Sequence, residues 1–398
     1  MNINNFVGRQ LLYDLFQAYY DARKNKRNTI NALAFEIDYE RKLFELYGDI
    51  KSGKYEIGPS ICFIIFKPVQ REVFAADFRD RIVHHFIYNY ISPIFERLFI
   101  YDSYSCRMGK GTSRGIKRMN HFICSCSKNY SRPCHILKID IKGYFMSIDR
   151  TILYKKIEKT LRRLKNKANF DIDFMLGLIR KVVFHDPKKN CIIKGRKSNW
   201  KGLPKNKSLF FADKNKGLPI GNLTSQLFGN VYLNDFDIFI KHLLRAKYYG
   251  RYVDDIVVVH QDREYLKSII PFMEKYLRNN LFLELHPKKI YLQHFSKGVR
   301  FLGTVIKPYR IYIQNRVKGN FYQKIRYWNN LVTEKAVGGG INGKDFKNFL
   351  SSVNSYLGIM KYYNTYKLRK KMISENLSPN FYKCVYAAND YVKLISKI

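Results

Sequence analysis

Two adjacent carboxylates, Asp254 and Asp255, lie within Tyr248-Tyr249-Gly250-Arg251-Tyr252-Val253-Asp254-Asp255-Ile256-Val257-Val258-Val259-His260. β-Branched and aromatic residues flank them, which predicts two short strands joined by a tight turn that carries the pair. Like charges at a hairpin tip repel, and a divalent cation between them would offset that cost. The plain alternative is a solvated Asp-Asp turn. The very apolar flanks argue instead for carboxylates held rigidly by a sheet core. A metal pair needs a third carboxylate, and Leu137-Lys138-Ile139-Asp140-Ile141-Lys142-Gly143-Tyr144-Phe145 supplies the best candidate. Leu137, Ile139 and Ile141 alternate with Lys138 and Asp140, the period of a strand with one apolar face. Asp140 then points away from the core, toward a cleft. Three such carboxylates suit two Mg²⁺ ions clamping an in-line phosphoryl displacement, with Mn²⁺ as a substitute.

The rest of the chain must position these groups. A length of 398 residues implies two or three lobes around a cleft, and 46% hydrophobic content suffices for globular cores. Lys+Arg number 72 against 32 Asp+Glu, a net charge of +40. That excess predicts a polyanion partner held through its phosphates, with binding that weakens as salt rises. A membrane surface fits poorly, because the cations are spread along the chain and no apolar run reaches transmembrane length. Met1-Asn2-Ile3-Asn4-Asn5 is not a secretory signal. Seven cysteines, odd in number and without a Cys-x-x-Cys pair, argue against a zinc site or disulfide framework and for reduced cytoplasmic thiols.

Local patterns give the elements. Leu11, Leu12, Leu15, Phe16 and Tyr19 predict helix within residues 6–52, followed by the basic turn Arg23-Lys24-Asn25-Lys26-Arg27. Residues 60–79 predict a two-strand unit. Ile82, Val83, Phe86, Ile87, Tyr90 and Ile91 then form a helical face, with His84 and His85 packed or on the surface rather than acting as ligands. Residues 187–216 read as a Lys-rich insertion without regular structure, either an RNA-facing surface or a solvated loop. After it, Thr224 or Ser225 caps a helix running through Tyr232, Phe236, Phe239 and Leu243. Residues 316–398 read as helical, broken at Gly338-Gly339-Gly340, with Lys367, Arg369, Lys370 and Lys371 placed to track a duplex.

The order of these motifs resembles the reverse transcriptases: an Asp-x-x-x-x-Phe strand, Asp140 to Phe145, then a Tyr-x-Asp-Asp hairpin, Tyr252 to Asp255. The resemblance implies an α+β, right-hand polymerase fold. Fingers with a helical start would span 1–135 and the palm 136–297, an antiparallel sheet packed on helices. A primer-grip hairpin would span 298–315 and a helical thumb 316–398. It also implies residue roles. Asp140, Asp254 and Asp255 would hold the metals, Phe145 would exclude a ribose 2′-hydroxyl, and Arg71 would grip the triphosphate, with Lys67 as a loose second cation. Arg79-Asp80-Arg81-Ile82-Val83 resembles a segment of intron-type bacterial enzymes. Arg107 and Lys110, in Ser103-Tyr104-Ser105-Cys106-Arg107-Met108-Gly109-Lys110-Gly111-Thr112, would hold template phosphates. Lys289 would protonate the leaving pyrophosphate, and Gly303 would let backbone approach the primer.

Most reverse transcriptases carry Pro-Gln-Gly and then Ser-Pro. This chain has Pro219-Ile220-Gly221 and then Ser225-Gln226. That departure resembles the enzymes of diversity-generating retroelements and nearby defence-associated clades. It implies that Ile220, Gly221 and Gln226 lie at the nascent base pair with relaxed fidelity. The expected partners are template RNA or a noncoding RNA, a DNA primer or cDNA and dNTPs, with an accessory protein and a homo-oligomer left open. A bacterial or phage-encoded cytoplasmic protein is expected, without a ribonuclease H domain, a zinc-bound endonuclease or a retron-type Val-Thr-Gly triplet. A phage-defence enzyme and a non-catalytic RNA-binding scaffold stand as alternatives.

Overall fold

The computed structural model describes residues 3–24, 26, 29–66, 69–164, 168–336 and 342–397. Asn25, Arg27, Lys67 and the Gly338-Gly339-Gly340 break lie outside the described residues. In chain order the elements begin α1 (Ile3–Arg23), α2 (Ile30–Glu36), α3 (Tyr39–Lys51), β1 (Ser60–Ile65), β2 (Arg71–Ala75), α4 (Phe78–Leu98) and α5 (Thr112–Cys126). Next come β3 (His135–Asp140), α6 (Tyr144–Ser147), α7 (Arg150–Arg162), α8 (Ile172–Phe184), β4 (Cys191–Ile193) and α9 (Leu223–Ile238). Then follow β5 (Tyr248–Tyr252), β6 (Asp255–His260), α10 (Arg263–Leu281), β7 (Tyr291–His294), β8 (Val299–Phe301), β9 (Thr304–Lys307) and β10 (Arg310–Ile313). The last are α11 (Asn315–Ala336), α12 (Gly343–Met360), α13 (Tyr366–Lys370), α14 (Pro379–Tyr382), β11 (Val385–Ala388) and β12 (Lys393–Ser396). The class is α+β, as expected. Two compact units form, one of Met1–Gly115 with Ile136–Leu292, the other of Ile116–His135 with Gln293–Ile398.

The first unit is built on a four-stranded sheet, ordered β5-β6-β3-β7, with helices packed on it. β5 and β6 are an antiparallel hairpin. Ile256, Val257, Val258 and Val259 are all buried, so β6 is covered on both faces, which explains its unbroken apolar run. The helices show the one-sided spacing of surface elements. In α8, Ile172, Met175, Leu176, Ile179 and Val183 turn inward. Asp77, Asp149, Asp171 and Asp262 cap α4, α7, α8 and α10 through hydrogen bonds from the first-turn amides. The cap of α9 corrects the expectation of Thr224 or Ser225. Asn222 takes the position, and its Oδ1 accepts from Ala76 N at 3.1 Å. The Thr224 hydroxyl instead meets His84 Nδ1 at 2.8 Å, both buried.

Residues 187–216 are not structurally indistinct. β4 pairs parallel to β1, extending the β1–β2 hairpin to three strands. Short 3₁₀ turns follow at Lys197–Trp200, Lys205–Lys207 and Leu209–Phe211. The anchor is Glu72, buried on β2, which accepts from Trp200 Nε1 at 2.7 Å, Ser208 Oγ at 2.7 Å and Leu209 N at 2.6 Å. Leu209 packs with Cys62, Phe74 and Met146. The cations Lys194, Arg196, Lys197, Lys201, Lys205 and Lys207 face outward. The stretch is a fixed platform with a basic outer surface.

The second unit holds a three-stranded antiparallel meander, ordered β10-β9-β8, and a helical core around Phe321, Trp328, Phe349 and Val353. The expectation of helix to the end fails, because β11 and β12 pair as an antiparallel hairpin. Arg369 fastens it. This buried side chain donates to the carbonyls of Asp390 and Tyr391 and to Thr365 Oγ1. It therefore faces inward, while Lys367, Lys370 and Lys371 stay exposed. No helix among the described residues is long and apolar enough to cross a membrane.

Replacing Glu72 by Ala leaves three donors without their acceptor, at roughly 1–3 kcal/mol for each one left buried. Glu72→Ala is expected to lower the melting temperature and to speed tryptic cleavage within residues 187–216. Unchanged cleavage there would mean the platform holds without this carboxylate.

Candidate active site

The Asp254-Asp255 turn is tighter than its sequence suggests. Tyr252 pairs with Asp255, so only Val253 and Asp254 form the turn, and Asp255 opens β6. Val253 has φ 57°, a left-handed value that a β-branched residue adopts only under strain. Such a conformation costs about 1–3 kcal/mol and persists only where neighbours impose it. Arg251 does so. Its Nη1 donates to the Val253 carbonyl at 2.9 Å, while Nε and Nη2 each reach Asp237 at 2.7 Å. Arg251 and Asp237 are both fully buried. Asn230, Ser103 and the Tyr249 hydroxyl complete the network. Burial alone would lower the Arg251 pKa, but the Asp237 charge and hydrogen bonds hold it above the ordinary value.

The chain near residue 103 also joins β5. Arg251 N donates to Asp102 O, and Tyr104 N donates to Arg251 O, both at 2.9 Å. Gly250 makes this possible, since a Cβ there would lie 2.6 Å from the Tyr104 hydroxyl.

Asp140 ends β3, half-buried. Its carbonyl accepts from His286 N at 2.8 Å, and Ile141 bridges Leu285, so residues 283–286 run beside the end of the strand. That alignment carries Lys289 to Asp140 Oδ2 at 2.9 Å. Lys138, on the same face of β3, reaches Asp255 Oδ1 at 3.1 Å. Asp254 is left as the stressed member. Burial and the charges of Asp140 and Asp255 push its pKa up to about 7, against an opposing pull from Lys289. The three carboxylates thus act on one another electrostatically. Oxygen donors of this kind suit a hard divalent cation. Among the described residues no three His, Cys, Asp or Glu side chains converge closely enough to hold one ion as they stand.

The other sequence-selected residues divide. Phe145 lies on α6, half-buried, with its ring 3.3 Å from where a Cβ on Gly229 would stand. Ile220 packs partly into the cluster of Cys62, Phe74, Met146 and Leu209, and Phe145 packs on the same cluster. The Ile220 carbonyl accepts from Phe74 N at 2.9 Å. Gly221 has φ +133°, and a Cβ there would meet Phe74 O at 2.8 Å, so only glycine fits. Gln226 and Arg71 are exposed. The Arg71 charge acts on Tyr252, opposing the rise that burial imposes on that hydroxyl.

Lys110 donates to Tyr101 O and lies over the Tyr101 ring, 3.5 Å from its centroid. Gly303 follows Leu302 in the two-residue turn between β8 and β9, both with positive φ, so that turn itself accounts for the glycine. Arg107 does not stand where the resemblance implies. It is 5% exposed, pairs with Glu96 at 2.8 Å and donates to the carbonyls of Ile100 and Ser103. It braces the segment beside β5 rather than presenting itself to template phosphates. Lys138 and the Arg251–Asp237 pair went unselected in the sequence. Lys138 was legible in principle, two residues before Asp140 on the same strand face. Asp237 was not, since nothing local marks its partner.

A family model described as "Reverse transcriptase (RNA-dependent DNA polymerase)" matches residues 70–306. The "Putative COX1/OXI3 intron 2 protein" of Saccharomyces cerevisiae is 20% identical over 375 residues, covering 78% of this chain and 39% of that protein. "Protein YkfC" of Escherichia coli is 23% identical over 257 residues, covering 56% of this chain and 60% of that protein. The chain therefore spans less than two thirds of the length of either relative. Among solved structures, the apo telomerase of Candida tropicalis, truncated from the C-terminal domain, aligns with TM-score 0.45 and 12% identity over 65% of this chain and 55% of its own. Telomerase from Candida albicans with a telomeric RNA fragment aligns with TM-score 0.46 and 11% identity over 88% and 68%. Likenesses of that degree decide nothing further about this chain.

The raised pKa of Asp254 sets a pH dependence. Between its unfolded value of 3.8 and about 7, the folded state keeps a proton that the unfolded state has lost. Metal-free stability should then fall as pH rises through that window, by at most about 1.4 kcal/mol per pH unit, and level off above it. In EDTA, Asp254→Asn is expected to melt higher than wild type at pH 8, with the gap closing toward pH 4. A gap independent of pH would refute this account of Asp254.

Proposed function

This chain belongs to the reverse transcriptase (RNA-dependent DNA polymerase) family, and on that premise we propose that it copies RNA into DNA by nucleotidyl transfer at Asp140, Asp254 and Asp255. One observation carries the reading. Within the matched segment, a strained turn presents Asp254 beside Asp140 and Asp255, and burial together with their charges raises its pKa. Divalent ions held by these three aspartates, Mg²⁺ by preference, would neutralise charge at the primer 3′-hydroxyl and the triphosphate.

The chain's own residues do the rest. Arg71, exposed near Tyr252, clamps the triphosphate. Lys289, already at Asp140, gives a proton to the leaving pyrophosphate. Phe145 stands beside C2′ of the incoming sugar and favours deoxynucleotides. Ile220, Gly221 and Gln226 bound the nascent pair. Lys110 meets the template and the Gly303 turn the primer. Fingers at 1–135, palm at 136–297, primer-grip hairpin at 298–315 and thumb at 316–398 follow from the same reading. The partners are template RNA, a DNA primer or cDNA and dNTPs.

Ile220 favours a diversity-generating retroelement as the setting. Its half-buried side chain keeps volume but neither donates nor accepts, so the pair is held by shape. The second reading, a phage-defence enzyme with its own noncoding RNA, rests on the same departure from Pro-Gln-Gly.

Primer extension on an RNA template tests the chemistry. Asp254→Ala and Asp140→Asn should cut extension at least about a hundredfold while RNA retention on filters changes by less than about twofold. Extension by Asp254→Ala at the wild-type rate would sink the site. For fidelity, each ~1.4 kcal/mol of lost discrimination costs about tenfold in selectivity. Ile220→Gln is expected to lower misincorporation in sequenced cDNA, and an already faithful wild type would favour the defence reading.

A further inference from the structure

One cavity in the second unit, of about 380 Å³, is lined by four cations and no carboxylate. Its floor follows from strand alternation. Arg300 pairs with Val305 and Tyr312 pairs with Val305, so the three form one row across the meander, with Lys307 next along β9 on the same face. The opposite face, Val299, Phe301, Thr304, Ile306 and Ile313, is buried. Arg300, Lys307 and Tyr312 are therefore turned away from that core. Arg316 and Lys318, from the first turn of α11, supply a wall. That turn carries no acidic residue, although a helix start favours one. The positive end of a 22-residue helix thus adds to four cationic side chains around one hollow.

The size sits in the range of about 300–1,000 Å³ found for small-molecule sites, enough for one nucleotide rather than a tracked duplex. Cations arranged around a hollow select phosphate. Tyr312 offers an exposed ring for a base. Arg310 lies over that ring at 4.9 Å from its centroid, so a base would take the other side. We propose that this pocket binds a single nucleotide through its terminal phosphate, with the base against Tyr312. The ligand is either the 5′-phosphorylated end of a strand or a free nucleotide. The pocket lies wholly in the second unit, and its strand residues fall within the 298–315 hairpin proposed above to meet the primer; the binding test below is read without polymerisation and so fails or succeeds separately from that reading.

The test uses the full chain in EDTA, which removes metal-dependent triphosphate binding elsewhere. Three fluorescent probes are titrated: an ATP analogue, a 5′-phosphorylated single-stranded octamer and its 5′-hydroxyl twin. The Lys307→Gln/Arg316→Gln double variant should weaken the phosphorylated octamer, the ATP analogue or both by about tenfold or more. A charge-matched control, Lys51→Gln/Lys54→Gln, should stay within about twofold of wild type. Lys307→Arg/Arg316→Lys, which keeps the charge, should retain binding. Loss confined to the phosphorylated octamer assigns a strand end, and loss confined to the ATP analogue assigns a free nucleotide. Equal weakening in pocket and control variants, equal loss of both octamers without response of the ATP analogue, or no saturable binding by any probe would overturn the proposal.

Discussion

The site depends on a charge that never meets solvent. Arg251 is fully buried, two residues before the strained Val253, and is balanced by an equally buried Asp237 on α9. Removing one partner of such a pair typically costs 3–5 kcal/mol, because the other is left as an uncompensated charge. Here the pair has a second task. The guanidinium also grips the Val253 carbonyl, so the energy that buries the ion pair imposes the left-handed turn. The direction of Asp254 thereby follows from a side chain whose partner lies 14 positions earlier in the chain.

Around that anchor, the structure repeatedly uses a buried or half-buried acid to place basic side chains. Glu72 gathers the 187–216 platform, leaving its lysines outward. Asp140 and Asp255 each hold a lysine beside the hairpin. In a chain of net charge +40, acidic groups are scarce, and these are spent on position. The outward cations remain to meet a polyanion. Self-repulsion within that surface is what Glu72 must overcome to keep the platform folded.

Glycine marks where another segment comes too close for a side chain. Gly250 yields room for Tyr104, and Gly221 for the Phe74 carbonyl. Both contacts join segments distant in sequence: residues 102–104 to the aspartate hairpin, and the loop before α9 to β2. The first of these contacts braces the strand that leads into the Asp254-Asp255 turn.

Much was legible in the sequence, where the physics is local. Alternation of Leu137, Ile139 and Ile141 marks β3 and the face of Asp140, and the apolar run after Asp255 marks a strand buried on both sides. Residues 187–216 were illegible, because Glu72 lies 128 positions before Trp200 and no periodicity announces a single buried acceptor. Arg369 misled for a similar reason: an arginine in a basic stretch reads as surface, yet the carbonyls of Asp390 and Tyr391 that it meets lie 21 and 22 positions on. Arg107 has near partners in Ser103, Ile100 and Glu96, but only the bend of the folded loop turns it toward them. Sequence by itself marked β1, β2, β3, β5 and β6, most of the helices and the three carboxylates proposed for the metals, since these follow from residue type and short-range period. Tertiary structure alone decided which cations turn inward, where Lys138 and Lys289 sit, and how Val253 is strained, because each depends on a partner far along the chain.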